Sequence, residues 1–576
     1  MVTIDELTKL DRSKFTKAAE AWSKVSNRAS AAKGRVESEM LATLDRTQKG
    51  DAATKSIDTL TQLNKNYQYI HAECGLIRTA LSGLAEELEG PQNKLKQALK
   101  DAEDLQFTVN PDGSVKFPPT EPTKVPLLQQ PARAGGLPLM TQSDPNQAKA
   151  QEIADRISTA LQDAAEIDGR YATALRKLNT NGKLDQTDWA DVARDMKDVR
   201  AAAGKHFSED KIPKGKSPKE NADWWAKRTQ AEKDEYVALH PELIGALDGL
   251  PSTVRDGANR VVLLEQYGET KAELAALEKE EPWRLDARGL PTAEWLKWSH
   301  ERDLLDGAVK GMDAIQQRFD QTGKNGLPEA YLLSFDTKGR GHAVIANGNP
   351  DTATHTAVYV PGTEARLGKI GGDVKRMTDM WLKANSMAAP SEKVSTITWL
   401  GYIAPKNAHP FSRGELFVPS AGDARFAENA APDLNSFLGG MREVQGGADR
   451  SHTTVIGHSY GSTVIGAASI KGGLGADDII ADGSPGMLVK RADDLDAPKG
   501  HVWSQAASLA KDQVPLGGRV VGLGGPLMIV PSDRGFGANI MKSDAEGHGD
   551  YFNDGSVSLR NQAAIVVQRY DKVQRD

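Results

Sequence analysis

Apolar positions in the first hundred residues recur every three or four places. From Ile57 they run through Leu60, Leu63, Tyr67, Ile70, Cys74, Ile77, Leu81, Leu84 and Leu88, break at Glu89-Gly90-Pro91, and resume at Leu95 and Leu99. An earlier run carries Ile4, Leu7, Leu10, Phe15, Trp22, Val25, Val36, Met40 and Leu44, and Gln48-Lys49-Gly50-Asp51 supplies a turn and a new helix start between them. Two long helices with one short connection predict an antiparallel, coiled-coil-like hairpin. Phe107 to Phe117, with Asp112-Gly113 at its centre, reads as a small β-hairpin. Pro118 to Gln147 holds seven prolines and has no periodicity, as a linker should. The helical period then returns with Ile153, Ile157, Leu161, Ala164, Ile167, Tyr171, Leu175 and Leu178. It continues with interruptions through Trp189, Trp224-Trp225 and Leu239 to a last helix from Glu294 to Phe319.

From about Tyr331 the pattern changes to short β-branched runs separated by helical stretches. Tyr331 to Phe335 and Gly341 to Ala346 read as early antiparallel strands. Ala357 to Val360, Ser395 to Trp399, Thr453 to Ile456, Asp478 to Ala481 and His501 to Ser504 read as a parallel set. Strands interleaved with helices predict an α/β fold with a mostly parallel sheet covered on both faces, its ligands bound beyond the carboxyl ends of the strands. The expected organisation is a helical hairpin with a small β-hairpin over 1–117, a linker over 118–147, a second helical region over 148–320 that packs on the sheet, and a catalytic domain over 321–576.

Composition narrows the function. Charged residues make up 26% of 576 and the net charge is −7, with basic residues interspersed among acids, which argues against nucleic acid as a partner. No run of eighteen apolar residues occurs, and Met1-Val-Thr-Ile-Asp-Glu-Leu lacks the apolar core of a Sec signal peptide. A soluble protein is expected, cytoplasmic or exported without a Sec signal. Cys74 is the only cysteine and the histidines have no zinc-binding spacing, so neither a metal site nor a cofactor is expected.

The chemistry concentrates at Gly457-His458-Ser459-Tyr460-Gly461. This G-x-S-x-G follows a buried-strand pattern and precedes a run of small apolar residues at helical spacing, the context of a nucleophile elbow. Such a turn lifts the Ser459 hydroxyl above the sheet and sets the Tyr460 N–H at a helix start, where it can donate to an oxyanion. A serine hydroxyl needs a base, and the base needs an acceptor to fix its tautomer. Of the two histidines beyond Ser459, His501 opens a strand at the wrong end, whereas His548 sits in the loop Gly547-His-Gly-Asp-Tyr551 and is expected to be the base. Asp512 follows the penultimate strand and is the expected acid; Asp482, at an earlier strand end, is the alternative. The second oxyanion donor is expected from Gly362 or Thr363, after the strand Ala357 to Val360. Gly401 to Arg413 is expected to line or cover the pocket.

These residues resemble a family. Trp224-Trp225, His240-Pro241, Leu247-Asp-Gly-Leu-Pro251, Arg255-Asp256, Ala258-Asn259-Arg260, Val360-Pro-Gly-Thr363, Trp399-Leu-Gly-Tyr402, Gly457 to Ser462 and Gly483-Ser-Pro-Gly486 are similar, in order, to actinobacterial α/β-hydrolases of uncharacterised function. The resemblance implies a serine hydrolase core with Ser459, Asp512 and His548 as its triad, and it implies no substrate. The first hundred residues resemble, more loosely, the small helical-hairpin proteins exported by the type VII system. Tyr69-Ile-His-Ala-Glu73 fits their Y-x-x-x-D/E pattern, while Gln48-Lys49-Gly50 stands where they carry W-x-G. The function expected is a serine esterase or lipase-like hydrolase acting on a small-molecule or lipid ester. The alternative is an exported or scaffold protein whose helical half works through self-association or a secretion-system partner, using residues 1–105.

Overall fold

A computed structural model describes residues 2–119, 144–178, 189–203, 208–406, 421–525 and 528–576. Of the expected linker, residues 120–143 lie outside this set, as do residues 407–413 of the expected pocket cover. The chain divides into two compact units: Met1–Arg28, Ile70–Gly182 and Arg194–Ser208 form one, and Ala29–Tyr69, Lys183–Ala193 and Glu209–Asp576 form the other.

The first unit is built of helices, apart from a two-stranded hairpin that pairs Thr108 with Lys116 and Val109 with Val115. Its core holds Leu7, Leu95, Ile157, Ala164 and Tyr171 of the stripes read from sequence, with Ala98 and Ala160 buried where those stripes marked Leu99 and Leu161. Gly83 lets the Pro145–Lys177 helix approach: a Cβ there would stand 2.4 Å from the Tyr171 hydroxyl. That hydroxyl and Arg170 both donate to Glu87, at 2.6 and 2.7 Å. The Asp51–Glu87 helix carries the predicted stripe, but burial does not follow it strictly. Cys74, Leu84 and Leu88 are buried, yet so are Leu76, Thr79 and Ala80 beside them, so the helix packs on more than one side.

The second unit contains an eight-stranded sheet. Its strands are β1 (Ala330–Asp336), β2 (His342–Asn347), β3 (His355–Val360), β4 (Val394–Leu400), β5 (His452–His458), β6 (Asp478–Asp482), β7 (Val502–Gln505) and β8 (Asn539–Ile540). The spatial order is β8-β7-β6-β5-β3-β4-β2-β1. β2 runs antiparallel to both its neighbours, β1 and β4, and the pairs from β4 across to β8 run parallel. β8 is too short to leave a sequence pattern. The β-branched centres of β3, β5 and β6 are buried on both faces, as parallel strands between helical layers must be. On one face Met377, Met380 and Trp381 of Ile370–Met387 and Leu559 and Ala563 of Val557–Val566 pack on Tyr359, Ile456 and Ile480. On the other, Leu434 and Phe437 of Arg425–Gln445 and Val464 and Ile465 of Tyr460–Lys471 pack on Val358, Val455 and Ile479.

The Arg255–Arg260 motif has a structural explanation. It lies in the Ser252–Leu277 helix beside β1, the outer strand of the sheet. Asp256 accepts the Leu332 N–H at 2.7 Å, Asn259 donates to the Leu332 carbonyl at 3.0 Å, and Arg260 donates to the Ala330 carbonyl at 2.8 Å. Side chains thus satisfy an edge that would otherwise invite another strand. Among the described residues no helix is long and apolar enough to cross a membrane.

Candidate active site

β5 ends in a turn that only small neighbours permit. Ser459 has φ 55° and ψ −130°, a conformation that costs a non-glycine residue strain, and the Tyr460–Lys471 helix starts immediately after it. Its N–H donates to the Asp482 carbonyl at 2.9 Å, and its own carbonyl accepts from the Ser462 hydroxyl at 2.6 Å. The flanking glycines are required by space. A Cβ on Gly457 would stand 2.5 Å from the Ser462 Cα, and one on Gly461 would stand 2.0 Å from the Val360 carbonyl oxygen.

Ser459, His458, Tyr460, Gly362, Thr363, Asp512 and His548 line one cavity of about 630 Å³, beyond the carboxyl ends of β3, β5 and β7. The Gly362 backbone abuts the nucleophile candidate: a Cβ there would lie 2.7 Å from the Ser459 Cβ and 3.2 Å from its Oγ. The Tyr402 hydroxyl fixes this wall by donating to the Pro361 carbonyl at 2.7 Å. Tyr402 itself lines a separate cavity with Gly401 and Ile403, so these three residues of the expected cover do not line the catalytic pocket.

His548 Nδ1 donates to Asp512 Oδ2 at 2.9 Å. The same oxygen accepts the Tyr551 hydroxyl at 2.6 Å, and Oδ1 accepts the Val514 N–H at 3.0 Å. Burial pushes the Asp512 carboxyl up, but the bonds from His548 and Tyr551 outweigh it and hold the group below the usual carboxylate range. Asp512 is thus ionised, and with Nδ1 committed to it, Nε2 of His548 is the nitrogen left for a reacting group.

Asp482 sits differently. It is fully buried, accepts from Gln505 Nε2 at 2.8 Å through Oδ1, and makes no bond to His548 among the described contacts. Its Oδ2 and the Gln505 Oε1 are both buried without a donor. Burial pushes the Asp482 carboxyl up to about 8, so it holds a proton at neutral pH. His501 lies at the far end of the sheet, on Asp478 at 2.9 Å. Asp544 accepts the Val557 and Ser558 N–H groups at the start of the last helix, so it caps that helix.

Two contributors escaped the sequence. His458, an unspecified position of G-x-S-x-G, is buried, and its Nε2–H donates to the His548 carbonyl at 2.6 Å. Burial, with His548 and Arg376 acting in the same direction, holds its imidazole down to about 3, so it is neutral and anchors the His548 loop. Tyr551 holds Asp512 while its oxygen accepts the Ala507 N–H at 2.9 Å. Neither role has a local signal, because each partner is tens of residues away. Among the described residues no cluster of histidine, cysteine and carboxylates could hold a metal ion.

Comparison with known proteins bears on the fold. Residues 336–515 match the model of an alpha/beta hydrolase family, Abhydrolase_8. Two uncharacterised proteins of Mycobacterium tuberculosis, one from strain CDC 1551 and one from strain H37Rv, are each 30% identical over 395 residues. The match covers 63% of this chain and 58% of each relative, so the chain spans little more than half their length. A crystal structure of a mutant of the esterase rPPE aligns with 54% of this chain and 98% of its own, at 12% identity and a TM-score of 0.25, too slight a likeness to carry an argument. The fold class expected from the strand pattern is the one found: the chain carries an α/β-hydrolase domain with a mostly parallel sheet, accompanied by a large helical region.

Proposed function

We propose that the chain is a serine hydrolase that cleaves an ester or related acyl substrate through an acyl-enzyme. The observation that carries this reading is the cavity shared by Ser459, Gly362 and His548, with His548 turned by Asp512 so that Nε2 is free. Ser459 Oγ attacks the acyl carbonyl while His548 Nε2 takes its proton. The Tyr460 N–H and an N–H of Gly362 or Thr363 receive the oxyanion. His548 returns the proton to the departing alcohol, leaving the acyl group on Ser459. Water, deprotonated by the same nitrogen, then releases the acid and restores the serine. Asp512 keeps its negative charge throughout and stabilises the imidazolium.

Turnover of p-nitrophenyl butyrate tests the reading. Ser459→Ala should lower kcat by at least about 10⁴-fold with an unchanged circular dichroism spectrum. A folded variant that retains wild-type turnover removes Ser459 from the chemistry.

A further inference from the structure

Lys369, Gly372, Asp373 and Arg376 line the catalytic cavity, at a spacing that puts them on one face of the Ile370–Met387 helix and its start. Arg376 is held in place there. Its Nη1 donates to the Tyr359 hydroxyl at 2.9 Å and to Asp373 Oδ1 at 3.0 Å, and its guanidinium carbon stands 5.7 Å from the centre of the Phe552 ring. Those hydrogen bonds use one nitrogen of three. Nε and Nη2 donate to no described residue, and neither is sealed from solvent. Nη2 stands beside the loop that carries the base, since a Cβ on Gly549 would lie 3.6 Å from it. The wall next to the guanidinium is open: a Cβ on Gly372, one turn earlier on the same face, would meet no atom within 4 Å.

The cavity presents a different charge from the one it contains. Among its described lining residues Lys369, Arg376 and Lys511 balance Glu364, Asp373 and Asp512 in number. Yet Asp373 and Asp512 are covered, with 10% and 0% of their side chains exposed, whereas Lys369, Arg376 and Lys511 keep 48%, 28% and 41%. Glu364 is the one exposed acid of this set, and Lys369 holds it at 2.6 Å. Lys511 is occupied by Glu546, which lies outside the lining. Arg376 is therefore the cation that is both fixed from behind by a covered acid and left with donors in front.

We propose that Arg376 binds a carboxylate of the substrate, so that the protein cleaves acyl esters carrying a carboxylate beyond the scissile bond. The proposal rests on the serine hydrolase reading and names the substrate class for that same site. A guanidinium with two nitrogens free matches the two oxygens of a carboxylate through paired, charge-assisted hydrogen bonds. Its Nη1 contacts with Tyr359 and Asp373 set the orientation in advance, so little side-chain freedom is lost on binding.

Two matched ester pairs provide the test: 4-nitrophenyl hydrogen adipate against its methyl-capped diester, and 4-butyryloxybenzoate against its methyl ester. One pair carries the carboxylate on the acyl side and the other on the alcohol side. In the wild type kcat/KM should favour the carboxylate member of at least one pair on the order of tenfold. That ratio should fall to about one in Arg376→Gln. Arg376→Lys, which keeps a charge beside Asp373, serves if the glutamine variant does not fold. It should lose part of the preference, because an ammonium cannot make the paired bonds. A wild-type ratio of one or less in both pairs overturns the carboxylate site and leaves the hydrolase reading standing. So does a ratio that survives unchanged in folded Arg376→Gln or, where only that variant folds, in Arg376→Lys. Absence of turnover of all four esters and of p-nitrophenyl butyrate by folded wild-type protein overturns the hydrolase reading, and this proposal with it.

Discussion

Both ends of the sheet carry an aspartate–histidine pair at the same distance, and only one end is built for chemistry. At the carboxyl end His548 meets Asp512 at 2.9 Å; at the amino end His501 meets Asp478, also at 2.9 Å. Asp478 is fully buried and also accepts from His452 at 2.8 Å, Trp503 at 2.7 Å and Tyr570 at 2.7 Å. These donors tie β5, β6, β7 and the C-terminal segment together, and a carboxylate so saturated works as a clamp. Asp512 has fewer partners, and its histidine lines a cavity that also holds a serine on a strained turn. A short aspartate–histidine distance therefore identifies nothing by itself. What separates the two ends is the strained elbow, the close glycine backbone and the open cavity, all of which the parallel topology puts beyond the carboxyl ends of the strands.

The sharpest way to break this comparison is to neutralise the two aspartates in turn. Asp512→Asn should lower kcat by about 10⁴-fold with the fold intact, because His548 loses the acceptor that fixes its tautomer. Gly362→Ala comes next. Its methyl group has no space beside Ser459, and displacement of an oxyanion donor should reduce kcat by about 10²-fold or more, with a stability loss of about 1–3 kcal/mol from the crowding. Asp482→Asn should lose less than about tenfold, since Asp482 is bonded to Gln505 rather than to His548 and an asparagine keeps the acceptor for that bond.

The same variant carries a pH signature. A carboxyl whose folded pKa stands at about 8, against 3.8 in the unfolded chain, gives a stability contribution that is complete below 3.8 and lost as pH rises toward 8. Chemical denaturation should show Asp482→Asn gaining on the wild type across that window, by at most about 1.4 kcal/mol per pH unit. A constant difference would mean that Asp482 is ionised in the folded protein. Asp478→Asn should leave turnover per folded molecule unchanged and lower the unfolding free energy by about 3 kcal/mol, the range for breaking a buried ionic contact. A catalytic loss there without a stability loss would place chemistry at the wrong end of the sheet.

Much of the fold was legible because it is written in local periods. The alternation of short β-branched runs with helical stretches located β1 to β7, and the strand–turn–helix context of Gly457 to Gly461 located the elbow. The order serine, aspartate, histidine pointed to Asp512 and His548, which the fold brings together. Other features depended on contacts at long range. Asp482 is buried between β5 and β7, strands that pair with it from elsewhere in the sequence, and His458 is defined by a carbonyl ninety residues away. The stripe from Ile57 to Leu88 read as a single seam because periodicity reports one face of a helix, whereas burial of Leu76 and Ala80 shows packing on a neighbouring face as well.

The central claim is that Ser459, alone among the serines, is an activated nucleophile. A fluorophosphonate probe incubated with the purified chain, followed by peptide mass spectrometry, measures this directly. Modification should map to Ser459, disappear in Ser459→Ala, fall steeply in Asp512→Asn and persist in Asp478→Asn. No modification of well-folded wild-type protein, or modification that maps to another residue, would contradict the account.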